Sequence, residues 1–466
     1  MTDIAIIGGG AAGAAVFGEL LRRQDHRGTV HWISGCVAPG RGVAYTTDDD
    51  RHLLNVRAAG MGLFADQRDD FLQHANRQLG HAQGSDFLPR QLFGEFIQAQ
   101  VRARMSEAQA YGVRFQLHHV KAAAIHREAG HGYRIDLENG DALAVDAAVL
   151  AIGALSPRPL KTVSEDALAS GAYELDPWRR AEPARAPRRV LVIGTGLTAV
   201  DTLISAATRW PRAELVAVSR HGLLPFRHPA RPLAPYPYQE DLNTALLACD
   251  GVAPMIRLVR EAWADPSGTD WRAVIDGLRP INARLWQGLT LAQRRQFLRH
   301  VRWIWEAARH RTAPASAETV EALVESGRLQ VLAARVLAVS GCGPLAVTVR
   351  SRATRLVSMI EADLVIQATG LDTALAYARD PLLAQLLREG LAAPDPLQLG
   401  IVAEADGRLL DADRNPQPGL YGIGSLLRGN LWECTAMPEI RAAANRLART
   451  LTASGDNPGR QAASQA

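Results

Sequence analysis

Two glycine-rich turns are the first residues in this chain whose types and spacing suggest chemistry. Gly8-Gly9-Gly10-Ala11-Ala12-Gly13 follows the apolar run Ile4–Ile7 and opens an Ala/Leu-rich stretch to about Leu21. A strand–turn–helix in this order is what a dinucleotide requires. Gly8 permits the tight turn, Gly10 lets backbone approach a pyrophosphate, and Gly13 lets helix and strand pack closely. The helix N-terminus then faces the phosphate charge. The next strand, Val30–Ile33, should end in an acid for the ribose hydroxyls, but Ser34 and Gly35 stand there. One serine hydroxyl supplies one such bond, not two, so tight binding must lean on other contacts.

The second turn, Gly194-Thr195-Gly196-Leu197-Thr198-Ala199, follows Arg189–Ile193 and ends in alanine, which the pattern tolerates. Gly194, Gly196 and Thr198 are its candidate cofactor contacts. After the following strand, Leu215–Val218, come Ser219 and Arg220. An acid there would hold a 2′-hydroxyl and repel a 2′-phosphate. A hydroxyl and a guanidinium do the reverse, so the pair selects NADPH.

These turns need buried parallel strands to position them, and the apolar runs fit that requirement. Asp363–Gly370 repeats the strand-end pattern, and Asp146–Gly153 is a weaker copy. The fold class expected is α/β, with two Rossmann-like dinucleotide-binding domains, the first discontinuous, and a helical insertion. Residues 1–160 and 361–452 build the first domain, 185–228 and 316–360 the second, and 229–315 the insertion. Residues 453–466 read as a disordered tail. Trp263, Trp271, Trp286, Trp303 and Trp305 occur at helical spacing in the insertion, as bundle core.

Composition sets the outer limits. The 466 residues are 47% hydrophobic and 21% charged, the balance of a soluble globular protein. A net charge of +4 without a dense Lys/Arg stripe excludes a nucleic-acid footprint. Cys36, Cys249, Cys342 and Cys434 lie far apart and form no C-x-x-C, which argues against a disulfide framework, a zinc site and a dithiol redox centre. His118 and His119 lack partners at metal spacing and read as a solvated strand edge, so no metal is expected. With no leader-like start and no membrane-length apolar stretch, the expected location is the cytoplasm.

Further motifs carry a family resemblance. Gly40-Arg41-Gly42-Val43-Ala44-Tyr45, Leu53-Leu54-Asn55-Val56, Phe87–Phe96, Ser219–Pro225, Arg309-His310-Arg311 and Gly424–Gly429 resemble the FAD/NAD(P)-binding proteins similar to flavin-containing and N-hydroxylating monooxygenases. The resemblance covers nearly the whole chain. It implies FAD at Gly8, Gly10 and Gly13, with Arg41 and Gly42 beside the pyrophosphate and Asn55 near the isoalloxazine. Arg90 is implied as a FAD contact, Val120 as an adenine contact through its backbone, and Thr369 and Gly370 as part of the turn linking the domains. Gly424 and Ser425 stand where a Gly-Asp pair is usual, and a serine cannot offer the ribityl chain a carboxylate. His228, after the NADPH-domain strand, is placed to face the nicotinamide; Asn55 and His228 are the candidate catalytic residues.

The implied activity is an NADPH-using, FAD-dependent monooxygenation of a small amine-like nucleophile by O2, through a C4a-hydroperoxyflavin, under a dry cover supplied by the insertion. Trp286, Trp303 and Trp305 are candidate walls of that cover. Two other readings stay open: an NAD(P)H-dependent reductase or dehydrogenase without oxygen insertion, and a non-catalytic redox-sensing module.

Overall fold

The computed structural model describes residues 2–128, 132–178, 183, 185–265 and 268–453. Along the first part of the chain run β1 (Ile4–Ile7), β2 (Thr29–Ile33), β3 (Arg114–His118), β4 (Ala122–Arg127), β5 (Tyr133–Leu137), β6 (Ala142–Val145), β7 (Ala147–Leu150) and β8 (Tyr173–Glu174). They continue with β9 (Arg189–Ile193), β10 (Glu214–Ser219), β11 (Leu329–Ser340), β12 (Leu345–Ser351), β13 (Val357–Ala362), β14 (Leu364–Gln367), β15 (Arg408–Leu410) and β16 (Pro416–Gly422).

The first sheet has the order β15-β16-β7-β1-β2-β3. Its strands are parallel except for β15. Every residue of β1 is buried, as a strand with neighbours on both sides and cover on both faces demands. Both ends of the chain meet in this sheet, because β16 pairs with β7. A small antiparallel sheet, β4-β5-β6, spans the connection between β3 and β7.

The second sheet has the order β13-β12-β11-β10-β9-β14-β8. Here the expected boundaries move. β14 was expected to open the return to the first domain, yet it pairs with β9 and β8, and β8 itself lies before residue 185. The reason is burial: Leu364–Gln367 is buried throughout and needs a strand on each side. The return to the first sheet therefore follows Gln367.

The insertion is helical as expected, with helices at Gln239–Leu247, Val252–Trp263, Trp271–Gly277, Asn282–Gly288, Leu291–His300 and Arg302–Arg309. The next helix, Pro314–Glu325, places Val320 and Leu323 in the core of the second sheet's helix layer. The tryptophans divide. Trp286 is buried and stacks on Trp432 at 4.8 Å, whereas Trp263 is 53% exposed and Trp303 37% exposed. Helix Met437–Ala453 packs on helix Ala11–Leu21 and includes Ala453, the first residue of the expected tail; the rest of that tail, 454–466, lies outside the described residues. Among the described residues no helix is long and apolar enough to cross a membrane.

Candidate active site between two dinucleotide cradles

The first turn has the geometry its glycines require. A Cβ on Gly8 (φ +127°) would sit 2.3 Å from the Ala151 carbonyl oxygen, and one on Gly13 would sit 2.1 Å from the Gly8 oxygen. Gly10 differs. Its Cβ would meet only the Gly42 Cα, at 3.6 Å, so the space before it is kept open for something other than protein. Helix Ala11–Leu21 starts there with no side chain capping its amides. Gly424 backs onto Ala12, and the Ser425 hydroxyl beside it is buried without a partner. An open backbone cradle, uncapped helix amides and an orphaned hydroxyl fit a pyrophosphate-bearing flavin cofactor.

The other expected contacts fall unevenly. The Val120 carbonyl accepts from the Gly35 N–H at 3.2 Å. Arg41 lays its stem over Gly94 and donates to Gln98 at 3.1 Å. Ser34 turns its hydroxyl inward, donating to the Cys36 carbonyl at 2.7 Å and lying 3.1 Å from that of His118. Its single proton is thus engaged in its own turn. Arg90 is also engaged elsewhere: Nη2 lies 3.0 Å from Asp201 Oδ2 and Nε donates to the Leu53 carbonyl at 3.1 Å. It bridges the two halves of the molecule. His118 pairs with His31 on the neighbouring strand, ring nitrogens 3.1 Å apart.

The second turn repeats the first. A Cβ on Gly194 (φ +134°) would sit 2.1 Å from the Ala368 carbonyl oxygen, as Gly8 faces Ala151. The two strand-end copies noted in the sequence, 146–153 and 363–370, thus do the same job in each sheet. A Cβ on Gly196 would meet nothing within 4 Å, and helix Leu197–Arg209 begins there uncapped, with Thr198 half-buried in its first turn. Thr369 accepts from Gln367 Nε2 at 3.2 Å, and Gly370 (φ +87°) is open. Ser219 Oγ accepts from the Gly222 N–H at 3.0 Å and bonds Thr195 at 2.9 Å, fixing the loop that exposes Arg220.

A second cation meets Arg220 there that sequence reasoning missed. Arg352 hydrogen-bonds His221 and donates to the Arg220 carbonyl at 3.4 Å. His221 stacks on Trp303 at 4.3 Å. Burial, then Arg352 and Arg220, lower its pKa. Two guanidiniums beside a neutral imidazole make an anion seat.

A cavity of about 490 Å³ is lined by segments of the first domain, the insertion and the return segment. Asn55 and His228, the two candidate catalytic residues, both line it. They touch: His228 Nε2 is 3.1 Å from the Asn55 carbonyl, while Arg311 Nε donates to His228 Nδ1 at 3.4 Å. That fixes the tautomer with the proton on Nε2. Burial first, then the Arg311 guanidinium, push the His228 pKa down to about 3. Both ring nitrogens of His228 are thus engaged, one by the Asn55 backbone and one by Arg311. Among the described residues no group bonds the side-chain amide of Asn55, which leaves it available to a ligand.

This assignment has a pH signature. A histidine whose folded pKa lies below its ordinary 6.5 takes up its proton only on unfolding within that window. Stability is therefore lost as pH falls from 6.5 toward 3. His228→Gln should lose less than the native chain between pH 7 and 5, by at most ~1.4 kcal/mol per pH unit. Thermal melts at both pH values check it; parallel losses would contradict a buried neutral His228.

Part of the wall is charged. Arg311 pairs with Asp276 at 2.6 and 2.7 Å, Arg279 with Glu439 at 2.5 and 2.8 Å, and Arg309 with Glu433 at 3.0 Å. Among the described residues Arg57 has no carboxylate partner; it donates to the Ser85 and Pro229 carbonyls and lies over the Phe87 ring. Apolar cover comes from Pro229, Pro232, Leu233, Pro235 and Tyr236. The three expected tryptophans do not line the cavity: Trp286 packs on Trp432, Trp303 on His221 and Trp305 against Phe297. Large aromatics won burial or stacking elsewhere, and prolines took the lining. All four cysteines are free, and Cys434, its pKa pushed up to about 12 by burial, donates to the Gly424 carbonyl at 3.1 Å.

Residues 5–155 match the family described as FAD-NAD(P)-binding. No curated protein matches the sequence. Among solved structures, the chain is similar to the L-lysine 6-monooxygenase of Pseudomonas syringae, at 16% identity and a TM-score of 0.65 over 97% of this chain and 100% of that one. The reduced ornithine hydroxylase of Pseudomonas aeruginosa gives 15% and 0.64 over 97% and 99%. The ornithine N-hydroxylase of Kutzneria sp. 744, solved with reduced FAD, NADP+ and L-ornithine, gives 14% and 0.63 over 98% and 100%. The cradle around Gly10 thus belongs to a segment with a recognised FAD-NAD(P)-binding sequence, and the chain as a whole shares the fold of these solved structures.

Proposed function

We propose that the chain is an FAD-dependent, NADPH-using monooxygenase that places one oxygen atom on a small nucleophilic, amine-like substrate in the cavity beside Asn55. One observation carries this reading. The cavity is walled jointly by Asn55, Val56, Arg57 and Gly60 from the first domain, by His228 after the second cradle, by the insertion, and by Glu433, Thr435, Ala436 and Glu439 of the return segment, a lining that supports a common meeting place for two cofactors and a substrate. Bound FAD would accept hydride from the nicotinamide and activate dioxygen.

The chain's own residues would orient and shield. Gly8, Gly10, Gly13, Gly42 and Ser425 hold FAD; Gly194, Gly196, Thr198, Arg220 and Arg352 hold NADPH. Asn55 presents an amide to the reacting end, fixed through His228 and Arg311. The proline-rich cover restricts water, which oxygen transfer requires if reducing power is not to be lost as peroxide. Each of the three wall carboxylates is paired with an arginine, leaving Arg57 in excess. The wall therefore favours a substrate that carries an anionic group besides its nucleophile. The test is oxygen uptake by the NADPH-supplied enzyme across amines and amino acids, with product and peroxide both counted. Peroxide alone across the panel would favour a reductase.

A further inference from the structure

Helix Leu197–Arg209, which carries the second cradle at its N-terminus, holds a polar cluster on the face turned to the first domain. Asp201 is 4% exposed, and Ser205 lies one turn further along the same face. Across the boundary, His52 Nε2 is 2.8 Å from Ser205 Oγ and 3.2 Å from the Asp201 carbonyl. Ser205 donates to Asp49 Oδ2 at 2.7 Å, and His52 Nδ1 is 2.8 Å from Thr47 Oγ1. Arg90 closes the loop. It meets the Asp201 carboxylate at 3.0 Å, donates its N–H to the His52 carbonyl at 2.8 Å and its Nε to that of Leu53 at 3.1 Å. Trp178 covers both His52 and Arg90.

We propose that Asp201, Ser205, His52 and Arg90 are positioning residues that set the Leu53–Asn55 segment against the NADPH-bearing helix, and so fix the geometry in which hydride is delivered. The inference rests on the reading of the second cradle as the NADPH seat. The chain of contacts is continuous: helix, Asp201 and Ser205, His52 and Arg90, the Leu53 carbonyl, then Asn55 in the cavity wall. Burying charge and hydroxyls at a domain boundary serves stability poorly compared with apolar packing, and serves geometric registration well. Asp201 Oδ2 is within ion-pair distance of Arg90 without a well-aligned hydrogen bond, so burial raises its pKa while Arg90 opposes. Nothing in the cluster reaches the cavity directly; its effect passes through Leu53 and Asn55.

The test uses the full chain with FAD bound, as Ser205→Ala, Asp201→Asn and the double variant. Flavin content, melting temperature, NADP+ affinity and the anaerobic rate of flavin reduction by NADPH are measured for each. Flavin content and NADP+ affinity should stay within about twofold of the native chain, while the reduction rate falls about tenfold, the scale of a small misplacement. The double variant should be no worse than the poorer single one, because the groups act as one unit. Native rates in Ser205→Ala, or rate losses matched by equal losses of flavin and NADP+ binding, would overturn the proposal. Should Asp201→Asn fail to fold, Ser205→Ala alone decides. A native chain that NADPH does not reduce would instead overturn the NADPH reading itself.

Discussion

Gly10→Ala should purify folded and largely colourless. The backbone at Gly10 is extended (φ −91°, ψ −174°), which alanine adopts without strain. The added Cβ meets only the Gly42 Cα, at 3.6 Å, an ordinary contact. The fold therefore has no reason to object. The methyl group instead fills the gap before the uncapped amides of helix Ala11–Leu21, where a pyrophosphate must come close. Losing two charge-assisted contacts of ~1.5–3 kcal/mol each weakens binding by roughly a hundredfold or more. Gly13→Ala is the contrasting control, since its Cβ would stand 2.1 Å from the Gly8 oxygen and disturb the fold itself. The ratio of flavin to protein absorbance, beside a melting curve, separates the two. A folded Gly10→Ala protein with a full flavin complement would remove FAD from this cradle.

Arg220→Ala should raise the KM for NADPH about tenfold and leave that for NADH nearly unchanged. Arg220 is exposed and makes no side-chain bond among the described residues, so its removal costs the fold little. A lost guanidinium–phosphate contact is worth roughly 1.5–3 kcal/mol, and solvent around an exposed residue keeps the effect near the lower figure. Arg352, bonded to His221 and to the Arg220 carbonyl, retains part of the anion seat. Arg220→Ala/Arg352→Ala should therefore discriminate against NADPH more strongly than either single change. Flavin reduction assayed with both donors measures this directly. Equal losses for NADPH and NADH would show that the pair does not read the 2′-phosphate.

What could be read from the residues was local. Each glycine turn is a contiguous strand–turn–helix whose requirements are met within about twenty positions, so Gly8 through Gly13 and Gly194 through Thr198 were legible. So were the two strand ends that return over them, because both copies keep the same apolar run and final glycine. The cavity was not. Asp276, Arg279, Glu433 and Glu439 come from segments far apart in the chain, in no recurring pattern, and only the fold pairs them. Arg90 carried a motif but not its partner, and its guanidinium bridges to Asp201 rather than standing free. Ser34 occupied the right place, yet its hydroxyl bonds its own turn. His228 was expected to face the nicotinamide, and only the fold shows its ring held between the Asn55 carbonyl and Arg311.

The central claim, oxygen transfer to a substrate held beside Asn55, is tested most directly with labelled dioxygen. The flavin-loaded protein is supplied with NADPH and 18O2 over a panel of small amines and amino acids, and products are weighed by mass spectrometry. The account predicts one 18O atom in the product of at least one substrate, with peroxide falling as that substrate is added and label lost when Asn55 is replaced by alanine. Oxidation of NADPH with all labelled oxygen recovered as peroxide, whatever is offered, would contradict it.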